Sequence, residues 1–355
     1  MKPITVLIVD DSALIRKIFA EVLSSAPGIE VVGVAVDAQD ARQKIKQLNP
    51  DVLTLDIEMP GMDGLSFLEK IMTLRPMPVI MVSTLTQKGA GETIRALEIG
   101  AVDYLGKPVH SQTRDTLMVL REDLVEKVRM AAQANVIHRS TATAQEDSNV
   151  ISYSPYSGVE QRMIAIGSST GGVEALRDIF LTLPANCPPI VMTQHMPASF
   201  TGSFTKRLDG LSQLTVAEAH NGAKLLPGHA WLAPGGKQLT VVKRPTGLVC
   251  KVEEGPLVSG HCPSVDVLFE SAAIAAGSKA VGVILTGMGK DGAEGLLKMR
   301  KAGAYTIGQS QSSCVVYGMP RVAMEVGAVQ KQLPLLDISA DMLAYCASAA
   351  KTGVA

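Results

Sequence analysis

Thr5-Val6-Leu7-Ile8-Val9-Asp10-Asp11 decides the fold of the first third of the chain. A run of apolar and β-branched side chains, with no polar alternation, reads as a strand buried on both faces of a parallel sheet. It stops at two acids. Working outward, similar runs recur at Glu30–Ala35, Val52–Leu55, Pro78–Ser83 and Val102–Leu105. Between and after them lie helical patterns at Ala13–Ser24, Ala38–Leu48, Gly64–Leu74, Gly91–Ile99 and Thr113–Ala132. Strict alternation of strand and helix predicts a doubly wound α/β domain.

The pattern breaks over residues 133–160, which are polar and rich in turn formers, and this stretch reads as a linker. A second α/β series follows. Its strands are expected at Met163–Ile166, Ile190–Gln194, Ala230–Leu232, Val281–Leu285 and Ala304–Ile307. Its helices are expected at Val173–Leu181, Ser199–Leu208, Val265–Ala276, Ala293–Lys301 and Arg321–Val326. Lys237–Glu253 reads as a β-hairpin turning at Pro245-Thr246-Gly247. The expected organisation is one domain over 1–132, the linker, a second domain over 161–347 and a frayed tail over 348–355.

Composition narrows the function classes. The chain has 355 residues, 46% hydrophobic and 19% charged, enough for two buried cores. Lys+Arg 33 against Asp+Glu 34 leaves a formal charge of −1, and aromatics are 4%. Neither a basic field nor a stacking platform is present, so no nucleic-acid partner is expected. No apolar run reaches the ~20 residues of a membrane span, so no membrane insertion is expected. Five cysteines at scattered spacings, none in a CxxC pair, fit free thiols in a reducing cytoplasm.

In parallel α/β sheets chemistry collects beyond the carboxyl ends of the strands. Asp10 and Asp11 follow the first strand and Asp56 the third. Three gathered carboxylates repel unless a cation joins them, and a hard divalent ion such as Mg²⁺ suits oxygen ligands. Ser83 ends the fourth strand and Lys107 follows the fifth. A fixed ammonium and a hydroxyl beside Asp56 would support phosphoryl transfer to that aspartate. Singly, each acid also reads as a cap, Asp11 before the first helix among them.

In the second domain Gly167-Ser168-Ser169-Thr170-Gly171 fits G-x-S-x-G between a strand and a helix, the setting of a nucleophile elbow. Its central residue, Ser169, is the expected nucleophile. A nucleotide loop is the alternative, but G-x-G-x-x-G and a Walker motif are both missing. Among six histidines, His195 ends the neighbouring strand and is preferred as the base over His261. Asp291, in the glycine-rich turn after Val281–Leu285, is the preferred orienting acid. It also reads as a cap of the next helix, and Asp266 is its rival.

Val9-Asp10-Asp11-Ser12, Leu55-Asp56-Ile57-Glu58-Met59-Pro60-Gly61-Met62-Asp63-Gly64 and Gly106-Lys107-Pro108 resemble a two-component receiver domain. The resemblance implies a flavodoxin-like fold and Asp56 as phosphoacceptor. It further implies Mg²⁺ arranged by Asp10 and Asp11, Ser83 and Lys107 as the switch pair, and a histidine kinase as donor. Ile166-Gly167-Ser168-Ser169-Thr170-Gly171-Gly172, Thr193-Gln194-His195-Met196-Pro197, Pro263-Ser264-Val265-Asp266 and Ile284-Leu285-Thr286-Gly287-Met288-Gly289-Lys290-Asp291-Gly292 resemble the chemotaxis protein-glutamate methylesterases, the CheB family. So does Cys314-Val315-Val316-Tyr317-Gly318-Met319-Pro320.

This second resemblance implies a Rossmann-like esterase domain with the triad Ser169, His195 and Asp291. It suggests the Met288 backbone N–H as an oxyanion donor. It implies γ-glutamyl methyl esters of methyl-accepting chemotaxis receptors as substrate, and receptor glutamines as targets of deamidation. No cofactor is expected for the ester step. It also implies a receiver that blocks the esterase until phosphorylated. One departure stands out: Gly260-His261-Cys262 replaces a pattern that is basic on both sides of the histidine in enteric members. A non-enzymatic switch and a small-ester hydrolase are the competing classes.

Overall fold

The computed structural model describes residues 2–84, 87–107, 114–136, 150–154 and 162–348. The chain divides into two compact units, Met1–Gln145 and Glu146–Ala355. Most of the expected linker, and the tail beyond residue 348, lie outside the described residues. Residues 150–154 belong to the second unit: the Ile151 N–H donates to Thr182 O at 3.0 Å, and Asn186 Nδ2 donates to Tyr153 O at 3.0 Å.

The first unit runs β1 (Ile4–Val9), α1 (Ala13–Ser24), β2 (Ile29–Ala35), α2 (Ala38–Leu48), β3 (Val52–Asp56), α3 (Gly64–Leu74), β4 (Val79–Ser83), α4 (Gln87–Ile99), β5 (Asp103–Gly106) and α5 (Arg114–Ala131). The strands pair in parallel in the order β2-β1-β3-β4-β5. This is the flavodoxin-like order, and its switch point lies between β1 and β3. Every residue of β3 and β4 is buried, which is why those strands lack polar alternation. Three helices start on capping side chains, Ser12, Asp37 and Asp63, each accepting a backbone N–H of the first turn. Ser12 rather than Asp11 therefore caps α1. The helix expected from Gly91 starts at Gln87, its first turns accommodating two glycines.

The second unit runs β6 (Met163–Ser168), α6 (Gly172–Thr182), β7 (Ile190–Gln194), α7 (Ala198–Leu211), β8 (Thr215–Glu218), β9 (His229–Leu232), β10 (Gln238–Arg244), β11 (Gly247–Glu253), α8 (Val265–Ala276), β12 (Ala280–Ile284), α9 (Ala293–Lys301), β13 (Tyr305–Gln309), α10 (Met319–Glu325), β14 (Lys331–Leu333) and α11 (Leu335–Ala347). Seven parallel strands order as β14-β13-β12-β6-β7-β9-β8. The chain leaves β6 on the β7 side and later returns to β12 on the other side, so β6 is the switch strand. The hairpin β10–β11 forms its own antiparallel pair, closing at Arg244↔Gly247. Phe180, Phe200, Phe204 and Phe269 are fully buried between sheet and helices.

Three elements went unanticipated. Thr215–Glu218 and Lys331–Leu333 are short, polar edge strands without a hydrophobic signature. Leu335–Ala347 does carry helical spacing, with Leu335, Ile338, Met342 and Cys346 on its buried face. Among the described residues no helix is long and apolar enough to cross a membrane.

Candidate active site

The switch point of the first unit gathers Asp10, Asp11 and Asp56, each with a carboxylate oxygen within 4.8 Å of the others. Asp10 and Asp56 are buried and Asp11 is exposed. Lys107 reaches in from the end of β5, its Nζ 2.7 Å from Asp56 Oδ2 and 3.3 Å from Asp10 Oδ2. Burial pushes the Asp56 carboxyl up to about 6. The Asp10 charge adds to this, while the Lys107 ammonium opposes it. Asp10 Oδ2 is buried and accepts no hydrogen bond. Three gathered carboxylates, with the single Lys107 ammonium as their counter-charge and Asp10 Oδ2 touching nothing closer than that ammonium at 3.3 Å, fit a hard divalent cation such as Mg²⁺.

Two neighbours went unnoticed in the sequence. The Arg16 guanidinium donates to the carbonyls of Asp10 and Asp11 at 2.7 and 2.9 Å, fixing the turn that carries both acids. Thr93 Oγ1 donates to Ser83 Oγ at 2.8 Å. Ser83 Oγ in turn donates to Thr84 O at 3.1 Å, so this hydroxyl is held by α4 and by its own turn.

The second unit assembles its site around the end of β6. The β6–β7 register pairs Ser168 with Gln194, and the His195 N–H continues the ladder to Ser168 O at 3.1 Å. The next positions, Ser169 and His195, thus leave adjacent strand ends side by side. On the other flank the Ser169 N–H donates to Thr286 O at 3.0 Å, which ties the serine to the loop after β12. That loop carries Met288 and Asp291. Its Gly287 carbonyl accepts from the N–H groups of Gly318 and Met319, at 3.1 and 2.8 Å. A Cβ at Gly287 would stand 2.8 Å from Ser169 Cβ, so Met288 follows a residue in close contact with the serine. Ser169 is half-buried.

The two glycines of the G-x-S-x-G stretch serve different ends. Gly171 has φ +77°, the left-handed turn that starts α6. Gly167 is needed for space instead, since a Cβ there would meet Val265 Cγ1 at 2.1 Å.

Asp291 is buried and accepts four hydrogen bonds. His195 Nε2 lies 2.8 Å from its Oδ2, and the Val265 N–H donates to the same oxygen at 2.7 Å. Ser264 Oγ and the Asp266 N–H donate to Oδ1 at 2.7 and 3.0 Å. Asp291 does cap a helix, but α8 rather than the α9 that follows it. Burial alone would push this carboxyl up. The hydrogen bonds from His195, Ser264 and the two N–H groups outweigh it and hold the acid at about 2.

His195 Nδ1 is buried and has no hydrogen-bond partner, so no hydrogen bond yet joins it to Ser169. The rival acid, Asp266, sits in the first turn of α8 and accepts from Ser259 Oγ and the Gly295 N–H at 2.9 and 2.8 Å. The rival base, His261, stacks flat on His195. Gln194 is a further neighbour that sequence reading passed over. Its buried carboxamide accepts from Ser168 Oγ at 2.7 Å and donates to the carbonyls of Ser169 and His195, at 3.0 and 3.1 Å.

Comparison with known proteins identifies the family. Residues 164–342 match the family described as CheB methylesterase. The chain belongs to the CheB methylesterase family. Ahead of that match, residues 6–117 match the response regulator receiver domain. A protein-glutamate methylesterase/protein-glutamine glutaminase 1 from Caulobacter vibrioides is 55% identical over 97% of this chain and 98% of its own length. A protein-glutamate methylesterase/protein-glutamine glutaminase from Nitrosomonas europaea is 50% identical over 100% of this chain and 99% of its own. The CheB methylesterase catalytic domain of Thermotoga maritima superposes with a TM-score of 0.51 at 38% identity, covering 53% of this chain and all of that one. This CheB-family chain is therefore a hydrolase with a receiver domain ahead of its methylesterase domain. Its fold is the α/β architecture expected from the alternation of strands and helices.

Proposed function

We propose that the second unit hydrolyses γ-glutamyl methyl esters on methyl-accepting chemotaxis receptors, with Ser169 as nucleophile, His195 as base and Asp291 as the orienting acid. The observation that carries this reading is the His195–Asp291 hydrogen bond at 2.8 Å, beside a serine on the adjoining strand end. Nε2 being taken by Asp291, Nδ1 is the nitrogen left to serve Ser169. Ser169 Oγ attacks the ester carbonyl as Nδ1 takes its proton. The proton then passes to the departing methoxide, giving methanol and an acyl-enzyme. Water, deprotonated at the same nitrogen, attacks the acyl carbon and frees glutamate and Ser169. The Met288 backbone N–H is assigned to the oxyanion. The same acyl transfer with ammonia as leaving group would deamidate receptor glutamines, in keeping with the names of the relatives.

The first unit is read as the control element. A carboxylate oxygen of Asp56 attacks the phosphorus of a phosphohistidine on a partner kinase, and the P–N bond breaks as the histidine imidazole leaves, giving an aspartyl phosphate. Asp10, Asp11 and Asp56 would hold the Mg²⁺ that neutralises phosphoryl charge in that exchange. Lys107 pairs with the phosphoryl group formed, and Ser83 turns from Thr84 O to donate to it. Phosphorylation then relieves inhibition of the esterase unit. Five free thiols, four of them buried, fit a cytoplasmic protein.

Methanol release from a methylated receptor fragment, with and without a small phosphodonor and Mg²⁺, tests both parts. Release that disappears in Ser169→Ala and rises with phosphodonor is expected. No release from the folded, phosphorylated chain would overturn the reading. Hydrolysis of small methyl esters but not of the receptor fragment would replace its substrate.

A further inference from the structure

The sequence left His261 as a rival base, and the structure gives it another place. Val258 and His261 exchange backbone hydrogen bonds at 3.0 and 2.9 Å across Ser259-Gly260, a two-residue turn with φ +53° and +85°. Positive φ at both central residues is the geometry of a tight type I′ turn. The turn is also fastened from the side, because Ser259 Oγ donates to Asp266 Oδ2 at 2.9 Å and the Asp266 N–H donates to Asp291. A continuous set of hydrogen bonds thus links the turn bearing His261 to the acid that holds His195. At the end of this support the two imidazoles lie 3.7 Å apart between centroids, with planes 13° from parallel. Among the described residues none hydrogen-bonds to the His261 ring.

We propose that His261 is a positioning residue for His195, its ring serving as a flat wall that fixes the plane of the base and keeps water off one of its faces. This rests on the reading of His195 as the base. Asp291 anchors one ring nitrogen, but a single hydrogen bond leaves the ring able to pivot about it. A second ring against the face removes that freedom and keeps Nδ1 directed toward the serine.

The wall works only while uncharged, since two stacked imidazolium rings would repel. Burial pushes the His261 imidazole down to about 4, and the neighbouring His195 pushes the same way against the opposing Asp291 charge. Among the described residues, the titratable groups in contact with His195 are Asp291, from the turn after β12, and His261. Asp266 faces it through Asp291.

The test compares His261→Ala, His261→Leu and His261→Phe in the full chain, with methanol release from a methylated receptor fragment as readout. Phe keeps a flat ring without a proton, Leu keeps volume without a flat face, and Ala keeps neither. Ala and Leu are expected to lose about 10–100-fold in kcat with KM little changed, and Phe to recover most of the loss. Should Ala fail to fold, Leu against Phe makes the same comparison. Unchanged kcat in Ala or Leu overturns the proposal, and so does a Phe variant as poor as Leu. Ser169→Ala runs beside them: if it stays active, the reading of the site itself is wrong.

Discussion

Asp56 and Asp291 occupy matching places in the two units. Each is buried at or just past the carboxyl end of a strand next to the switch point of a parallel sheet, yet their carboxyls move in opposite directions, to about 6 and about 2. Burial disfavours the charge of both. Asp56 faces a second buried carboxylate, with Lys107 and one N–H, from Glu58, in opposition. Asp291 faces four donors and accepts a hydrogen bond from each. Position in the fold therefore does not set the chemistry of a strand-end acid. The count of donors around it does, leaving one site short of positive charge and the other saturated.

The largest effect that tests this contrast is expected at Ser169, the nucleophile proposed beside His195 and Asp291. Ser169→Ala should lower methanol release by about 10⁴–10⁶-fold, the range for serine-hydrolase nucleophiles. Asp291→Asn should cost about 10⁴-fold in kcat by upsetting the tautomer of His195. It should also lower the melting temperature, because an amide cannot accept from all four donors. A variant as stable as the parent would break the claim that Asp291 is saturated.

The unsaturated site should respond to cations instead. Mg²⁺ at 100 times its Kd should stabilise the first unit by about 2.7 kcal/mol, read as a shift of its melting transition in the full chain. Asp10→Asn should remove most of that shift. Gln194→Ala should lower kcat about 10–100-fold with little change in KM, since the carboxamide braces the backbone carbonyls of both Ser169 and His195. The smallest expected effect is one of shape. With Asp291 held at about 2, that carboxyl should contribute no proton to the acid limb of kcat/KM. A second proton on that limb would show that Asp291 titrates there.

The stability profile carries its own sign. The folded-state value of His261 lies below its ordinary 6.5, so the folded chain binds fewer protons than the unfolded one. Stability present above pH 6.5 is lost as pH falls toward 4, discounted because the ring is only half-buried. His261→Phe should flatten that part of the profile.

Much of this was legible in the residues themselves. Buried strands such as Val52–Asp56 and Ile190–Gln194 announce themselves through unbroken apolar runs, and their ends locate Asp56, Ser169 and His195. The short edge strands Thr215–Glu218 and Lys331–Leu333 have no unbroken apolar run, because at a sheet edge only Val216 among their residues is buried. Gln194 was passed over for a different reason: a glutamine ending an apolar strand reads as a boundary until its three hydrogen bonds are seen. The stack of His261 on His195 could not be read at all, since it depends on a turn that folds 66 residues further along the chain. The role of Asp291 was half legible. A helix cap was among its readings, but the helix it caps lies earlier in the chain.

That last feature has a practical meaning for libraries of this protein. One anion closes the start of α8 and holds His195, so under the proposed mechanism foldedness and turnover draw on the same carboxylate. Variants screened only for soluble expression, with no ester in the tube, would still retain Asp291 while discarding Ser169 freely. The two residues of a single reaction would then drift apart under a selection blind to that reaction.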